Sequence, residues 1–458
     1  MKKLTAILLI TLLAVLPAVS GMAEGRTIAL SHESGRFDMG VTHSAAIEPS
    51  GLGWAWGYNY NGAIGNGVTT GNTPSPYNWG SGAELVSVNA KTTLMVDENS
   101  VLWIWGEVWW GTGGAPSMPD ELISLEPRQV ASNVRLASMG SDHVVFVKND
   151  NTLWVYGEND HGQLGNGTTD PNYTPTQVMT GVSYAAAGDC LTCAVKTDGT
   201  LWVWGYNGSG QVGNNSTEDR KTPVQVLTNV YTVSTMGDHV MAIKNDKTLW
   251  AWGDNTYGQL GKGNTGAQLG KGNTGAQRTP VQVMTNAAQV SAGFDHTGVI
   301  KTDGTLWFCG RNYMGPFGNG QSTGYSAANP TFTQTPGTYL AVKCGMRITG
   351  AVNEDGRLMV AGDNTYGQLG LGFVNNPAGG RFFDELTPTN LVITAVAGLQ
   401  GDANCDGRVD FLDVSVIQAR VLNMATLSAE GAANADMNGD GQVTSTDISL
   451  LYTMILGN

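Results

Sequence analysis

Short apolar runs alternate with polar turns in a fixed order along most of the chain. The first apolar run of a unit is, for example, VYTVSTM (230–236). The second run is, in another unit, DHVVFVKNDN (142–151). Alternating apolar and polar positions predict β-strands, and the Asn-Asp or Asp-Gly pairs that separate them predict hairpin turns. A run with the pattern W-x-W-G follows, then a turn N-x-x-G-Q-L-G and a loop that ends in Thr-Pro. The pattern therefore predicts several short strands in each unit.

This unit occurs seven times. The glycines that close the W-x-W-G runs are Gly57, Gly106, Gly157, Gly205, Gly253, Gly310 and Gly362. The spacing is close to 50 residues, and the one long spacing contains QLGKGNTGA twice, at 259–267 and 268–276. We interpret the second copy as an insertion into a surface loop, where extra length costs little closure entropy. Seven such units predict a β-propeller or a similar closed array.

Ten of the 13 tryptophans belong to the W-x-W pattern. Alternation places both tryptophans of a run on one face of a strand, where we expect them to pack against the neighbouring unit. The seventh unit, RLMVAG (357–362), has lost both. This pattern predicts packing and carries no catalytic implication.

The repeated unit resembles the regulator-of-chromosome-condensation repeat family. The resemblance rests on G-x-D-H (140–143 and 293–296), DGTLWVWG (198–205) and N-x-x-G-Q-L-G-x-G (255–263). It covers roughly 27–398 and implies an all-β, seven-bladed propeller, which we assign to residues 24–398. The segment LVITAVAG (391–398) resembles the first strand of a further repeat, and such a strand would complete a blade with the N-terminal residues and close the ring.

The first residues predict export. Two lysines precede an apolar stretch at 4–16, and small residues follow it. This order is typical of a secretory signal peptide, assigned here to 1–23, with cleavage after Ser20 or Ala23. We expect a soluble mature protein that is secreted, possibly attached to the cell surface through its C-terminal domain.

The composition of the chain limits the kinds of partner that we expect it to bind. The formal net charge is −14 and only 14% of residues are charged. A nucleic-acid partner is not expected, because phosphate binding needs clustered lysines and arginines. The five cysteines include one C-x-x-C, Cys190 and Cys193, without the second pair that a zinc site needs. We expect all five cysteines to be unpaired and the protein to be a monomer.

The last 58 residues contain two copies of a calcium-loop pattern. GDANCDGRVD (401–410) and ADMNGDGQVT (435–444) each contain D-x-N-x-D-G. Oxygen ligands at alternate positions suit a hard cation, and the glycine allows the sharp turn. We assign two Ca²⁺ ions to these candidate ligands: Asp402, Asn404, Asp406, Arg408 (carbonyl), Asp410 and Asp413 in the first loop, and Asp436, Asn438, Asp440, Gln442 (carbonyl), Thr444 and Asp447 in the second. Each loop leads into one predicted helix.

This duplicated loop–helix segment resembles a type I dockerin, assigned to residues 399–458. The resemblance implies Ca²⁺-dependent binding to a cohesin domain of a scaffoldin or cell-surface protein, as in a cellulosome-like assembly. The positions that select the partner in that family are Phe411, Leu412, Ser445 and Thr446 here. With so small a core, the module should need calcium to fold.

No catalytic residue is assigned. His43, His143, His239 and His296 share one repeat position, which indicates a structural role. The repeated glycine-rich stretch is no phosphate loop, because Lys271 is followed by Gly272 instead of Ser or Thr. The sequence leaves open a glycosidase pair of carboxylates that the fold brings together.

One aromatic pattern suggests a binding surface. The variable pair of the N-x-x-G turn contains a ring in six of seven units, and the candidates are Tyr60, Trp109, Trp110, His161, Tyr257, Tyr313 and Tyr366. If the turns share one rim, these rings suit recognition of a protein or a sugar. In the alternative interpretation each ring covers only the turn of its own blade. Trp109 and Trp110 lie in GEVWWGTGG (106–114), which departs from the repeat pattern and should be partly exposed.

Three functions follow from these observations. The leading hypothesis is an exported, non-catalytic binding protein whose propeller recognises a protein or glycan while the dockerin docks to a cohesin. The second is a dockerin-borne glycoside hydrolase in polysaccharide catabolism, with its active site in the propeller. The third is a carbohydrate-binding module, favoured if Trp109 and Trp110 form a flat exposed platform.

Overall fold

The structure is a computed structural model. It describes residues 35–374 except 49, 70, 108–122, 264–275 and 355, and it also describes 385–390, 435, 443–445 and 448. The predicted signal peptide, the segment 391–398, the repeated half of the duplicated loop and nearly all of the predicted dockerin lie outside these residues. No helix in the described residues is long and apolar enough to cross a membrane.

Five four-stranded antiparallel sheets follow one another along the chain, one for each of the first five repeats. The first is β1 (Phe37–Met39), β2 (His43–Ile47), β3 (Gly53–Tyr58) and β4 (Asn72–Gly80). The second is β5 (Ala83–Val88), β6 (Thr92–Asp97), β7 (Leu102–Glu107) and β8 (Ile123–Ala131). The third is β9 (Val134–Met139), β10 (His143–Lys148), β11 (Leu153–Gly157) and β12 (Asn172–Met179).

The next two sheets have the same order of strands. The fourth is β13 (Val182–Ala187), β14 (Leu191–Lys196), β15 (Leu201–Gly205) and β16 (Arg220–Leu227). The fifth is β17 (Val230–Thr235), β18 (His239–Lys244), β19 (Leu249–Gly253) and β20 (Gln277–Met284). Within each sheet, strands that are consecutive in sequence pair with each other. The predicted all-β propeller class is therefore confirmed.

The sixth and seventh repeats differ from the prediction of seven separate blades, because they form one seven-stranded sheet. Its strands are β21 (Ala287–Ala292), β22 (His296–Lys301), β23 (Thr305–Gly310), β24 (Asn329–Cys344), β25 (Ile348–Asn353), β26 (Leu358–Gly362) and β27 (Glu385–Asn390). The first part of β24 pairs with β23 and the last part with β25. The described strands therefore form six sheets, the last of which contains two repeats.

A local turn explains why β24 can serve two repeats. The sequence Pro336-Gly337 lies in the middle of the strand, and Gly337 has a φ of 105°. The register against β23 shifts at this point, from Leu306 opposite Thr335 to Thr305 opposite Thr338. Glycine tolerates this left-handed conformation, so the chain changes direction without leaving the strand.

The motif D-x-T-L-W builds the hairpin between the second and third strands. In the third sheet, Asp150 Oδ1 accepts hydrogen bonds from the backbone amide and the hydroxyl of Thr152, and Trp154 Nε1 donates to Thr152 Oγ1 over 2.8 Å. The same three bonds recur at 198–202, 246–250 and 303–307. In these four repeats, the tryptophan of D-x-T-L-W thus fixes the turn of its own repeat.

The second tryptophan joins neighbouring repeats. Trp204 Nε1 donates to the carbonyl of Gln163 over 2.9 Å, and that carbonyl lies in the N-x-x-G turn of the preceding repeat. Trp252 donates in the same way to Gln211 over 2.8 Å. Trp204 and Trp252 are both 0% exposed. Each buried indole therefore satisfies its only polar group on the adjacent blade, as buried indoles generally require.

Serines join the inner strands, which are the first strand of each repeat. Ser87 Oγ accepts a hydrogen bond from the Met139 amide of the next repeat, and Ser138 accepts one from Ala187. Ser234 and Ser291 accept equivalent bonds. The fourth repeat has Ala186 at this place, so its inner strand offers no side-chain acceptor there.

The histidines at the shared repeat position are buried and hydrogen-bonded to the next repeat. His143 is 1% exposed, and its Nε2 lies 2.9 Å from Thr192 Oγ1. The Thr192 hydroxyl donates its single proton to the Gln163 carbonyl, so Nε2 of His143 must be the donor to Thr192. His43, His239 and His296 make the same contact with Thr93, Thr297 and Thr349. Burial lowers the pKa of His143 to about 4, so this ring is neutral at neutral pH.

The ring closes by packing the seventh repeat against the first. Phe37, Met39 and Trp56 share one buried cluster with Ile348 and Leu369. Trp56 Nε1 and Ser44 Oγ also donate to the Gln368 carbonyl over 2.8 and 2.9 Å. The inner position of the first sheet is occupied by β1, and the segment 391–398, predicted to complete a blade, lies outside the described residues.

Candidate interaction surface

Two loops of each repeat meet at one end of the sheets, and we call this end the rim. In an antiparallel sheet, the loop between the first and second strands and the loop after the third strand lie at the same edge. Backbone bonds join them: the Glu158 amide donates to the Asp142 carbonyl over 2.8 Å, and the Arg311 amide donates to Asp295 over 2.8 Å. All N-x-x-G turns of the described residues therefore lie on the rim.

The side-chain amide of the N-x-x-G asparagine explains why this turn recurs. Asn159 is fully buried, its Oδ1 accepts the Leu164 amide over 2.9 Å, and its Nδ2 donates to the carbonyls of Thr168 and Asp170. Asn255 Oδ1 accepts the Leu260 amide in the fifth repeat. The first QLG of the duplicated stretch thus belongs to a regular turn. The segment 264–275 lies outside the described residues.

Five of the predicted aromatic rings belong to the described residues, and all five lie on the rim. Three of them contact the residue that follows the W-x-W-G glycine in the next repeat, and these are His161, Tyr257 and Tyr366. Tyr60 and Tyr313 instead lie beside Tyr58 and Tyr325 of their own repeats. His161 lies 4.7 Å from Tyr206, and Tyr366 lies 5.3 Å from Tyr58, between ring centroids. Three of the five rings therefore bridge neighbouring blades, and the other two contact rings of their own repeat.

The candidate rings of the rim differ in their exposure to solvent. Tyr60 is 55% exposed and Tyr366 is 37% exposed. His161, Tyr257 and Tyr313 are half-buried. Trp109 and Trp110 lie outside the described residues, so the platform that we predicted for them stays a prediction.

Carboxylates dominate the rim of the third to fifth repeats, which we call the acidic sector. Its members are Asp142, Glu158, Asp160, Asp189, Asp238 and Asp254. Burial, and then the charge of Asp189, raise the pKa of Asp238 to about 6. Burial and Asp189 also raise the pKa of Asp142. These carboxylates are close enough to repel one another, yet the described residues contain no group of three potential ligands placed to hold a metal ion.

Arginine and tyrosine side chains cluster on the adjoining part of the rim, from the turn of the fifth repeat to the seventh repeat. This Arg–Tyr cluster consists of Tyr257, Arg311, Tyr313, Tyr325 and Arg347. The guanidinium carbon of Arg311 lies 3.8 Å from the ring centroid of Tyr325 and 4.5 Å from that of Tyr257. Neither arginine belongs to a repeat motif, but both occupy variable positions beside constant residues of the repeat, and this contrast is the signal in the sequence that marks them.

The central channel is a separate feature, with a volume of about 830 Å³. The inner strands line it, and its polar groups include Ser87, Ser138 and Ser234. Since these hydroxyls already accept hydrogen bonds from the next inner strand, the channel wall is mainly structural.

Little of the predicted dockerin site is described. Thr444 is half-buried and Ser445 is exposed. The other eleven candidate calcium ligands, from Asp402 to Asp447, lie outside the described residues, as do Phe411, Leu412 and Thr446.

The repeated sheets and the bridged rim define a repeat β-propeller. The chain contains regulator-of-chromosome-condensation repeats and a type I dockerin domain. The regulator of chromosome condensation (RCC1) repeat model matches residues 150–195, 198–243 and 246–300, and a second RCC1 repeat model matches 134–163 and 182–211. The dockerin type I domain model matches 400–456. Both predicted resemblances are confirmed, and type I dockerins generally bind Ca²⁺ and cohesins.

Several curated proteins share the repeats over part of their length. The ultraviolet-B receptor UVR8 of Arabidopsis thaliana is 29% identical over 30% of this chain and 32% of its own length. The human E3 ubiquitin-protein ligase HERC2 is 28% identical over 28% of this chain and 3% of its own length. The chain thus spans a third or less of these relatives.

Solved structures show the same fold. Yeast RCC1 (Prp20), solved with Kap60, has a TM-score of 0.61 at 18% identity and covers 69% of this chain and 80% of its own. Human WBSCR16 has a TM-score of 0.59 at 19% identity and covers 74% of this chain and 93% of its own. At this level of identity the likeness concerns the fold alone.

Proposed function

We propose that the protein is an exported interaction protein with two binding ends. Its dockerin (399–458) docks to a cohesin of a scaffoldin or cell-surface protein, and its propeller (24–398) recognises a protein or glycan through the rim. The combination of a dockerin match at 400–456 with a rim that exposes aromatic and charged side chains carries this proposal. Residues 1–23 would direct export and be removed.

Two calcium ions would hold the dockerin in its binding form. The carboxylates and amide oxygens of the two D-x-N-x-D-G loops supply hard ligands, which Ca²⁺ prefers. Because metal binding and folding are coupled in such small modules, cohesin binding should disappear when calcium is chelated.

A protein ligand for the propeller has more support than a glycan. Yeast Prp20, which shares the fold, binds Kap60 and has binding properties towards Gsp1p and histones. The rim also combines tyrosine and arginine, which are enriched at protein interfaces. The extension from that protein to this one is an analogy of fold.

The experiment is capture of the full chain on immobilised type I cohesins with calcium and with EGTA. Replacing Asp402 and Asp436 by Ala should abolish capture. Replacing Glu126 and Glu218 by Ala removes the same charge from exposed propeller positions and should leave capture unchanged. Capture that persists without Asp402 and Asp436, or that is unchanged by EGTA, would refute the docking proposal.

Export is tested separately, by N-terminal sequencing of the secreted protein, which should begin after Ser20 or Ala23.

A glycoside hydrolase is the second candidate, and the acidic sector is the observation that favours it. A general acid needs a raised pKa, and Asp238 has one, at about 6. If the protein releases reducing sugar from plant polysaccharides and Asp238→Asn abolishes this release, the enzyme hypothesis replaces the binding one. Release of reducing sugar that Asp238→Asn does not change would refute a catalytic role of Asp238.

A further inference from the structure

Arg311 has an unusual environment for an arginine on a rim. Its side chain is only 6% exposed. Nη1 donates to Asp295 Oδ2 over 2.9 Å, and Nε donates to the Tyr325 carbonyl over 2.8 Å. Nη2 is buried and has no hydrogen-bond partner in the described residues. A buried guanidinium with unused donors is costly, so the site lacks an acceptor.

A second arginine, Arg347, acts on the carboxylate that pairs with Arg311. Burial raises the pKa of Asp295 and Arg311 lowers it, while the charge of Asp254 raises it and that of Arg347 lowers it. Nε of Arg347 is buried and has no partner in the described residues either. Arg311 and Arg347 therefore each keep a buried donor that has no acceptor in the described residues.

Three tyrosine rings surround the Arg311 guanidinium. The rings of Tyr257, Tyr313 and Tyr325 each lie within 5.5 Å of the Arg311 guanidinium carbon. One face of each of these rings is therefore directed at the arginine. Tyr325 is 55% exposed and stacks on Arg311 from the solvent side, so a small movement of this ring would open the guanidinium to a partner.

We propose that the Arg–Tyr cluster is a docking site for an acidic segment of a partner protein, with one Asp or Glu carboxylate of that segment bound at Arg311 Nη2 and beside Arg347. The carboxylate supplies the missing acceptor, and such charge-assisted pairs are strong. The inference rests on the proposed function, since it takes the rim as the recognition surface, and it adds the chemistry of the partner.

The test uses immobilised poly-L-glutamate as the probe and the full calcium-loaded chain as the ligand, measured by biolayer interferometry. We expect binding despite the net charge of −14. Arg311→Gln should weaken binding at least about tenfold, as loss of hydrogen bonds to a charged group does. The control is Lys301→Gln, which removes the same charge from a lysine that lies over Trp307 on the flank of the sheet. Its affinity should equal that of the unsubstituted chain.

Circular dichroism in the near ultraviolet checks that Arg311→Gln folds, and if it does not, the half-exposed Arg347→Gln decides instead. An equal loss with Lys301→Gln, or no binding to poly-L-glutamate, overturns the proposal. Binding to polygalacturonate without binding to poly-L-glutamate overturns it in favour of an acidic glycan. A dimer that light scattering detects and that Arg311→Gln dissociates overturns it in favour of a second copy of the chain. In each case intact cohesin capture would leave the docking function standing.

Discussion

Replacement of one His–Thr pair should make the stability of the propeller less sensitive to acid. Four repeats carry His at the shared position and Thr at the contacting position of the next repeat, as in His143–Thr192. The fourth repeat carries Leu191 instead, and the corresponding residue of the fifth repeat is Val240. The double substitution His143→Leu and Thr192→Val therefore copies a pair that the fold already accommodates.

The sign and size follow from the pKa of the buried ring. Burial lowers the pKa of His143 from 6.5 to about 4, so folding favours the neutral form. The stability from this group is complete above pH 6.5 and is lost as the pH falls from there towards 4. At pH 5 the loss is about 2 kcal/mol for one such histidine. The double variant should avoid that loss, so its stability should fall less between pH 7 and pH 5.

Urea unfolding followed by tryptophan fluorescence measures this difference, at fixed calcium and at pH 7, 6 and 5. All 13 tryptophans precede residue 308, so the signal reports on the propeller. The reciprocal variant Leu191→His with Val240→Thr adds a fifth pair and should increase the loss by about 2 kcal/mol. If both double variants lose the same stability as the unsubstituted chain between pH 7 and pH 5, the histidines are not the proton-linked groups.

Three further predictions concern the links between repeats and the dockerin. Ala186→Ser should supply the missing acceptor between inner strands and raise the free energy of unfolding by about 1 kcal/mol in urea titrations; an unchanged or lower value would contradict this role of the serines. Trp204→Phe removes an indole donor from a buried turn carbonyl and should destabilise the propeller by about 1–3 kcal/mol, whereas Trp202→Phe should cost less, because its partner is the exposed turn of its own repeat; equal losses would be inconsistent with the inter-blade bond. EGTA should lower the helical circular dichroism of the full chain and make residues 401–458 sensitive to protease, and protection that is identical with and without calcium would contradict metal-coupled folding.

The sequence predicted features that depend on local patterns. The strand order within a repeat follows from alternation and from turn residues such as the Asp and Thr of D-x-T-L-W, which act within a few positions of one another. The buried second tryptophan followed from the same alternation. These features were predictable because the same local pattern recurs from one repeat to the next along the chain.

Features that depend on contacts between repeats were harder to predict. Pro336-Gly337 is typical of a turn that separates strands, yet Gly337 lets β24 continue into the next repeat. The rings of the rim were found, but their partners were not, because Tyr206 and Arg311 occupy a position that shows no common chemistry from one repeat to another. Arg311 becomes notable only when Asp295, Tyr325 and the ring of the preceding repeat are placed around it.

The continuous strand β24 also has a consequence for how the protein could gain or lose repeats. The first five sheets are joined end to end by short connections, so a new chain terminus or a duplicated unit placed there, for example at 228–229, would break no strand. A cut at 336–337 would divide a strand that pairs on both sides. The sixth and seventh repeats should therefore be inherited, deleted or permuted as one double unit, while each of the other five can be exchanged singly.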